Sequence, residues 1–187
     1  MANVFDARPD SVEVNGITYQ LTLSYDRVLI AFDALDDTML SDEQKTQLIC
    51  EILSTKVPRT FNEQAELVKA IFALFPKSDG GEKTIDFHQD AALIRSAFFR
   101  AYGIDLTVQK IHWFLFAELL ADLPRDTALM RVIDIRSRPL PKPTKYNRDE
   151  IAELQKAKAK VAIKISDEKR AEVFANSIKN VFRPGGG

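Results

Sequence analysis

IDFHQDAALIRSAFFRAYGIDLTVQKIHWFLFAELLADL, residues 85–123, is the stretch whose reading decides the fold. It contains the only Trp, both His residues and five of the twelve Phe residues. Its pattern predicts two helices joined by a glycine turn. Asp86 is placed to cap the first, with Gln89 three residues on at capping-box spacing. Ala91, Ile94, Phe98 and Tyr102 then recur at three- and four-residue intervals, the spacing of one buried helical face. Gly103 stops that helix, because glycine readily takes the positive φ of a C′ position. Thr107 is predicted to cap the second helix, which runs to about Leu123, where Pro124 forbids continuation. From Ile111 to Leu123 only His112, Glu118 and Asp122 are polar, so this helix should be covered on more than one side and form the centre of the core.

Working outward, SVEVNGITYQLTL (residues 11–23) alternates apolar and polar residues on both sides of Asn15-Gly16, a hairpin signal for a type I′ turn. Such a hairpin is marginal alone and must pack its apolar face on helices or on a partner's sheet. Ser24 is expected to start a helix of roughly fifteen residues with Val28, Leu29, Phe32 and Leu35 on one face. Ser41 with Gln44, and Thr60 with Glu63, form two capping boxes ahead of apolar-periodic runs. KSDGGEK (residues 77–83) reads as a loop, and Asp126 as the cap of a short helix ending near Arg138. PLPKPT (residues 139–144) holds three prolines and reads as a stiff connector. Asn147 and Glu150 open a Lys/Ala-rich helical region, and Ser166 can cap a last segment bearing Val173, Phe174, Ile178 and Val181. The expected class is mainly α: about six helices with a small N-terminal β-hairpin and a basic C-terminal helical arm. The expected divisions are a hairpin-plus-helix core over 1–138, the connector over 139–146, and the arm and tail over 147–187.

The 187-residue chain has 45% hydrophobic residues, which suits one folded domain with an appended arm. The lone Cys50 excludes a disulfide within the monomer and makes a reducing compartment the default. The N-terminal residues lack the basic and apolar regions of a signal peptide, and no apolar run has membrane-spanning length, so a soluble, cytosolic protein is expected. The net charge conceals an asymmetry. Residues 1–135 carry 13 Lys/Arg against 21 Asp/Glu, a net −8, while residues 136–187 carry 13 against 6, a net +7. An acidic body with a basic tail suits self-docking, an acidic partner or weak affinity for nucleic acid.

Catalytic chemistry needs convergent groups, and the sequence announces none. Phosphate-binding glycine loops, nucleophile elbows and zinc-ligand spacings are lacking, so no catalytic, metal or cofactor residue is assigned. His112 is read as a satisfied core histidine, the Asp36-Asp37 pair as solvated charge at a helix end, and Cys50 as a small buried apolar residue. Lys156, Lys158, Lys160 and Lys164 make the arm electrostatically positive, but acidic residues dilute it and few aromatics interleave with it. A solvated helical arm is therefore favoured over a nucleic-acid site. Trp113, Phe114 and Phe116 point in different directions around a helix, so some should serve the core and others a partner surface.

Several of these residues carry a resemblance. They are I-D-F at 85–87, Asp90-Ala91, Ala97-Phe98, Y-G-I-D-L at 102–106, I-H-W at 111–113, Phe116, Leu119-Leu120, L-P-x-D-T at 123–127, and Ile135-Arg136. Over roughly residues 12–140 the chain resembles the tailed-phage family named for bacteriophage gene product fifteen. The resemblance implies a non-enzymatic tail assembly chaperone that binds the tape-measure protein and helps recruit tail-tube subunits. It would act in the cytoplasm of the infected or lysogenic host and leave before the virion is complete. It transfers no catalytic or ligand residues, and self-association stays open. In related systems a chaperone is extended by frameshifting, which the terminal Gly-Gly-Gly could mark. The rival readings are a structural virion protein, such as a tail-completion or connector subunit, and then a nucleic-acid-binding factor.

Overall fold

A computed structural model describes residues 7–76 and 83–164 of the chain. The KSDGGEK loop up to Glu82, the segment expected from Ser166 and the terminal glycines lie outside the described residues. Those described form a mainly α fold with a two-stranded N-terminal hairpin. The elements are β1 (Ser11–Val14), β2 (Ile17–Gln20), α1 (Tyr25–Asp36), α2 (Asp42–Leu53), α3 (Phe61–Ala73), α4 (Ala91–Tyr102), α5 (Trp113–Ala121), α6 (Ala128–Ser137) and α7 (Arg148–Val161).

Contacts divide the chain into two compact units: residues 1–82 with 92–130, and residues 83–91 with 131–187. The proline connector lies inside the second unit, together with α7 and the turn at 83–91.

In the first unit, Asn15 (φ 51°) and Gly16 (φ 74°) make the tight turn, and β1 pairs antiparallel with β2 in the register Val14↔Ile17, Val12↔Tyr19. This places Val12, Val14 and Tyr19 on one face, which packs into the core. Both capping boxes form: Ser41 with Gln44 opens α2, and Thr60 with Glu63 opens α3. Each closes two backbone donors that would otherwise lack a partner. Val28, Ala31 and Ala34 of α1, Ile49, Cys50 and Leu53 of α2, and Leu67 and Ile71 of α3 meet in a dry cluster with Tyr19 and Leu23. The small α1 residues let α1 and α2 approach closely, while Leu35 stays exposed near the helix end.

Three local expectations differ from the fold. Thr107 does not start a helix. Its amide and hydroxyl both donate to the Asp105 carboxylate, at 2.9 and 2.6 Å, which closes a turn instead. Residues 111–113 then run extended beside 23–25, where Tyr25 N donates to Ile111 O (3.0 Å) and Trp113 N to Leu23 O (2.7 Å). The helix begins only at Trp113, with His112 as its N-cap. Likewise Thr127, not Asp126, offers the hydroxyl that the Met130 amide reaches at 3.2 Å, while Asp126 pairs with Arg100. Asp86 caps a turn through the His88 and Gln89 amides, and α4 starts later, at Ala91.

Candidate partner surface

Aromatic rings in the first unit form a continuous seam. Phe116 lies at its deep end, 1% exposed, stacked between Tyr25 and Phe98 with 5.0 Å between ring centroids on each side. The Tyr25 hydroxyl donates to Leu106 O and that of Tyr102 to Leu119 O, so both phenols enter the apolar interior satisfied. Burial raises the Tyr25 pKa, against the lowering effect of nearby Lys110. Trp113 stacks on Phe116 at 5.6 Å and meets the edge of Phe32 at 5.6 Å. From there the seam rises through Phe72 and Phe75 to Phe114, which stacks on Phe75 at 5.7 Å.

The seam is graded in depth. Phe98 and Phe116 are buried, whereas Phe32, Phe72, Phe75, Trp113 and Phe114 are only half-buried and packed against the core. Three helices supply this rim: α1, the end of α3 and the start of α5. Periodicity put Phe32 on one face of its helix with Val28; it gives a direction around a helix but not the depth of the neighbouring layer. Of the Trp113, Phe114 and Phe116 set, Phe116 belongs to the core and the other two to the rim. Other exposed apolar side chains, such as Ile30, Phe99 and Val108, lie outside this ring cluster.

His112 fixes the rim from below. Its Nδ1 accepts the Phe114 amide at 3.3 Å and its Nε2 lies 3.2 Å from Pro9 O, which assigns the ring proton to Nε2. The same ring stacks on Phe114 at 5.7 Å. Both nitrogens therefore serve structure. Cys50 is fully buried, with its thiol directed at Gln64 O, and burial together with Glu51 pushes its pKa up to about 11. A thiol held protonated at neutral pH is a poor nucleophile. Among the described residues no three His, Cys, Asp or Glu side chains gather as metal ligands, and no helix is long and apolar enough to cross a membrane.

The second unit is built on polar chemistry that spacing could not reveal. Asp90, 2% exposed, accepts two bonds from the Arg136 guanidinium, at 2.5 and 2.9 Å, across 46 residues of sequence. Burial opposes ionisation of Asp90, yet the bonds from Arg136 and the Asp86 amide hold its carboxyl below the usual carboxylate value. The four arm lysines divide. Lys158 is half-buried and donates to Arg136 O at 2.5 Å, while Lys156, Lys160 and Lys164 keep exposed side chains. The acidic residues Asp149, Glu150 and Glu153 share α7 with them.

These elements coincide with the extent of a phage sequence family. The profile described as bacteriophage Gp15 protein matches residues 4–163, so the match runs past the connector and through α7. The chain belongs to this family and is a bacteriophage protein. No curated protein and no solved structure shows a significant match.

Proposed function

We propose that this phage protein is a tail assembly chaperone that binds the tape-measure protein during long-tail morphogenesis and helps recruit tail-tube subunits. It works without catalysis, in the host cytoplasm, and departs before the virion is complete. The observation that supports this reading is the half-buried aromatic rim of Phe32, Phe72, Phe75, Trp113 and Phe114. A tape-measure chain is long and helical, and its apolar stripes need cover until the tube surrounds them. Half-buried rings held by a folded base suit the apolar face of such a helix. Part of each ring is already desolvated, so each contact adds modest area. Several modest contacts favour a complex that can later be displaced, because interface changes act mainly on dissociation.

The test is co-expression with the long helical protein encoded downstream, then affinity capture and sizing of the product. A soluble complex whose yield falls when Phe114 or Phe75 is replaced by Ala is the expected outcome. A partner that stays insoluble whether or not the chain is present would overturn the reading. Recovery of the chain from purified, mature particles would favour a structural virion role instead.

A further inference from the structure

The end of α7 is held in an unusual way. None of the helix's residues is buried, although Ile151, Leu154, Ala157 and Val161 are half-covered. Its firm attachments are polar and cluster at its C-terminal end. Arg136 Nε donates to Val161 O at 2.6 Å, and Lys158 Nζ donates to Arg136 O at 2.5 Å. Gln89 Nε2 donates to Ala162 O at 2.9 Å, while the Lys164 amide donates to Gln89 Oε1 at 2.8 Å. The Gln89 amide thus binds the backbone of residues 162 and 164 as a neighbouring strand would. The guanidinium caps a carbonyl that the helix end leaves without a partner, and places positive charge at the negative end of the helix dipole.

One of the receiving groups, Arg136, is organised without α7. Arg136 is oriented by both Asp90 oxygens and by Thr84 O at 2.9 Å. Asp90 Oδ2 in turn accepts the Asp86 amide at 2.9 Å, and Asp86 closes its turn through two further amides. At the other end, α7 leaves a connector with prolines at 139, 141 and 143. A helix tethered by a stiff linker and fastened by a few backbone hydrogen bonds has the parts of a latch. Apolar packing, which would make release expensive, is sparse.

We propose that residues 148–164 form a strap that opens and closes as a unit, and that Gln89 and the preoriented Arg136 are its catch.

Hydrogen exchange on the full-length chain tests this, comparing wild type with Gln89→Ala and with Lys164→Pro, which removes the matching donor from the strap side. In both variants the amides of 158–163 should exchange faster, by roughly tenfold in Gln89→Ala, which loses two bonds of ordinary net strength, and by less in Lys164→Pro, which loses one. Amides 86 and 90 of the catch, and those of α2, should keep their wild-type rates. Unchanged exchange at 158–163 in both variants would overturn the latch. So would a matching acceleration in α2, which would mean that the strap opens only when the whole molecule unfolds.

Discussion

Phe116 and Arg136 are both buried and each is the hub of its surroundings, yet they hold their regions by opposite means. Phe116 touches rings on several sides and makes no polar bond that needs a partner in place. Arg136 touches a carboxylate and two carbonyls, and each contact loses its value if the opposite group departs. Apolar burial is non-directional and indifferent to protons. A buried ion pair is conditional on geometry and on charge state. The aromatic unit is therefore the durable part of the molecule, and the polar unit the part whose arrangement can be switched.

The strongest way to break this comparison is to remove its apolar hub. Phe116→Ala should cost about 3–5 kcal/mol, the range for emptying a packed aromatic site, and should lower the thermal midpoint of the whole first unit. A midpoint shift of only a degree or two would mean that the seam is loosely packed. Arg136→Met should come next, at about 3 kcal/mol, because it leaves the Asp90 carboxylate buried without its cation. Its signature is different: Asp90→Leu combined with Arg136→Met should recover most of the loss in a double-mutant cycle by chemical denaturation. If the double variant is worse than either single one, the pair is valued for more than mutual neutralisation.

Acid sharpens the contrast. The folded Asp90 and Asp86 carboxyls are held below their ordinary values, so the folded state binds fewer protons than the unfolded chain. Their stabilisation is complete above the unfolded carboxyl value near ~3.9 and is lost as pH falls through the lower folded values. As pH falls below the ordinary carboxylate range, the chain at Leu154 should become accessible to pepsin before the near-ultraviolet signal of Trp113 collapses. The reverse order would contradict the assignment of the switchable part to the second unit.

The two regions also differ in how far they could be read beforehand. Asn15-Gly16 and the boxes at Ser41 and Thr60 were legible because their causes are local: a permitted positive φ, or a hydroxyl three residues from the amide it accepts. The start of α5 was not, since the pairing of residues 111–113 with 23–25 outweighs the propensity of a Thr-led run. The seam was half legible. Periodicity gave the faces of α1, α3 and α4, but only the folded arrangement shows that Phe116 sits deep and Phe114 shallow. The clasp could not be read at all. Asp90 and Arg136 appeared only as residues within matched motifs, and nothing local links positions 46 apart. Gln89 was expected to turn back on Asp86, and instead its amide reaches 73 and 75 residues ahead.

The central claim is that one aromatic seam has a folding end and a binding end. The most direct measurement takes Phe114→Ala and Phe116→Ala through the same two assays: thermal melting of the isolated chain, and affinity for the helical partner per folded molecule. Phe114→Ala should move the melting midpoint little and weaken partner binding by roughly tenfold, as expected for a rim anchor worth at least ~1 kcal/mol. Phe116→Ala should do the reverse. If both variants melt alike and bind alike once corrected for the folded fraction, the rim is simply more core, and the partner must be sought elsewhere on the molecule.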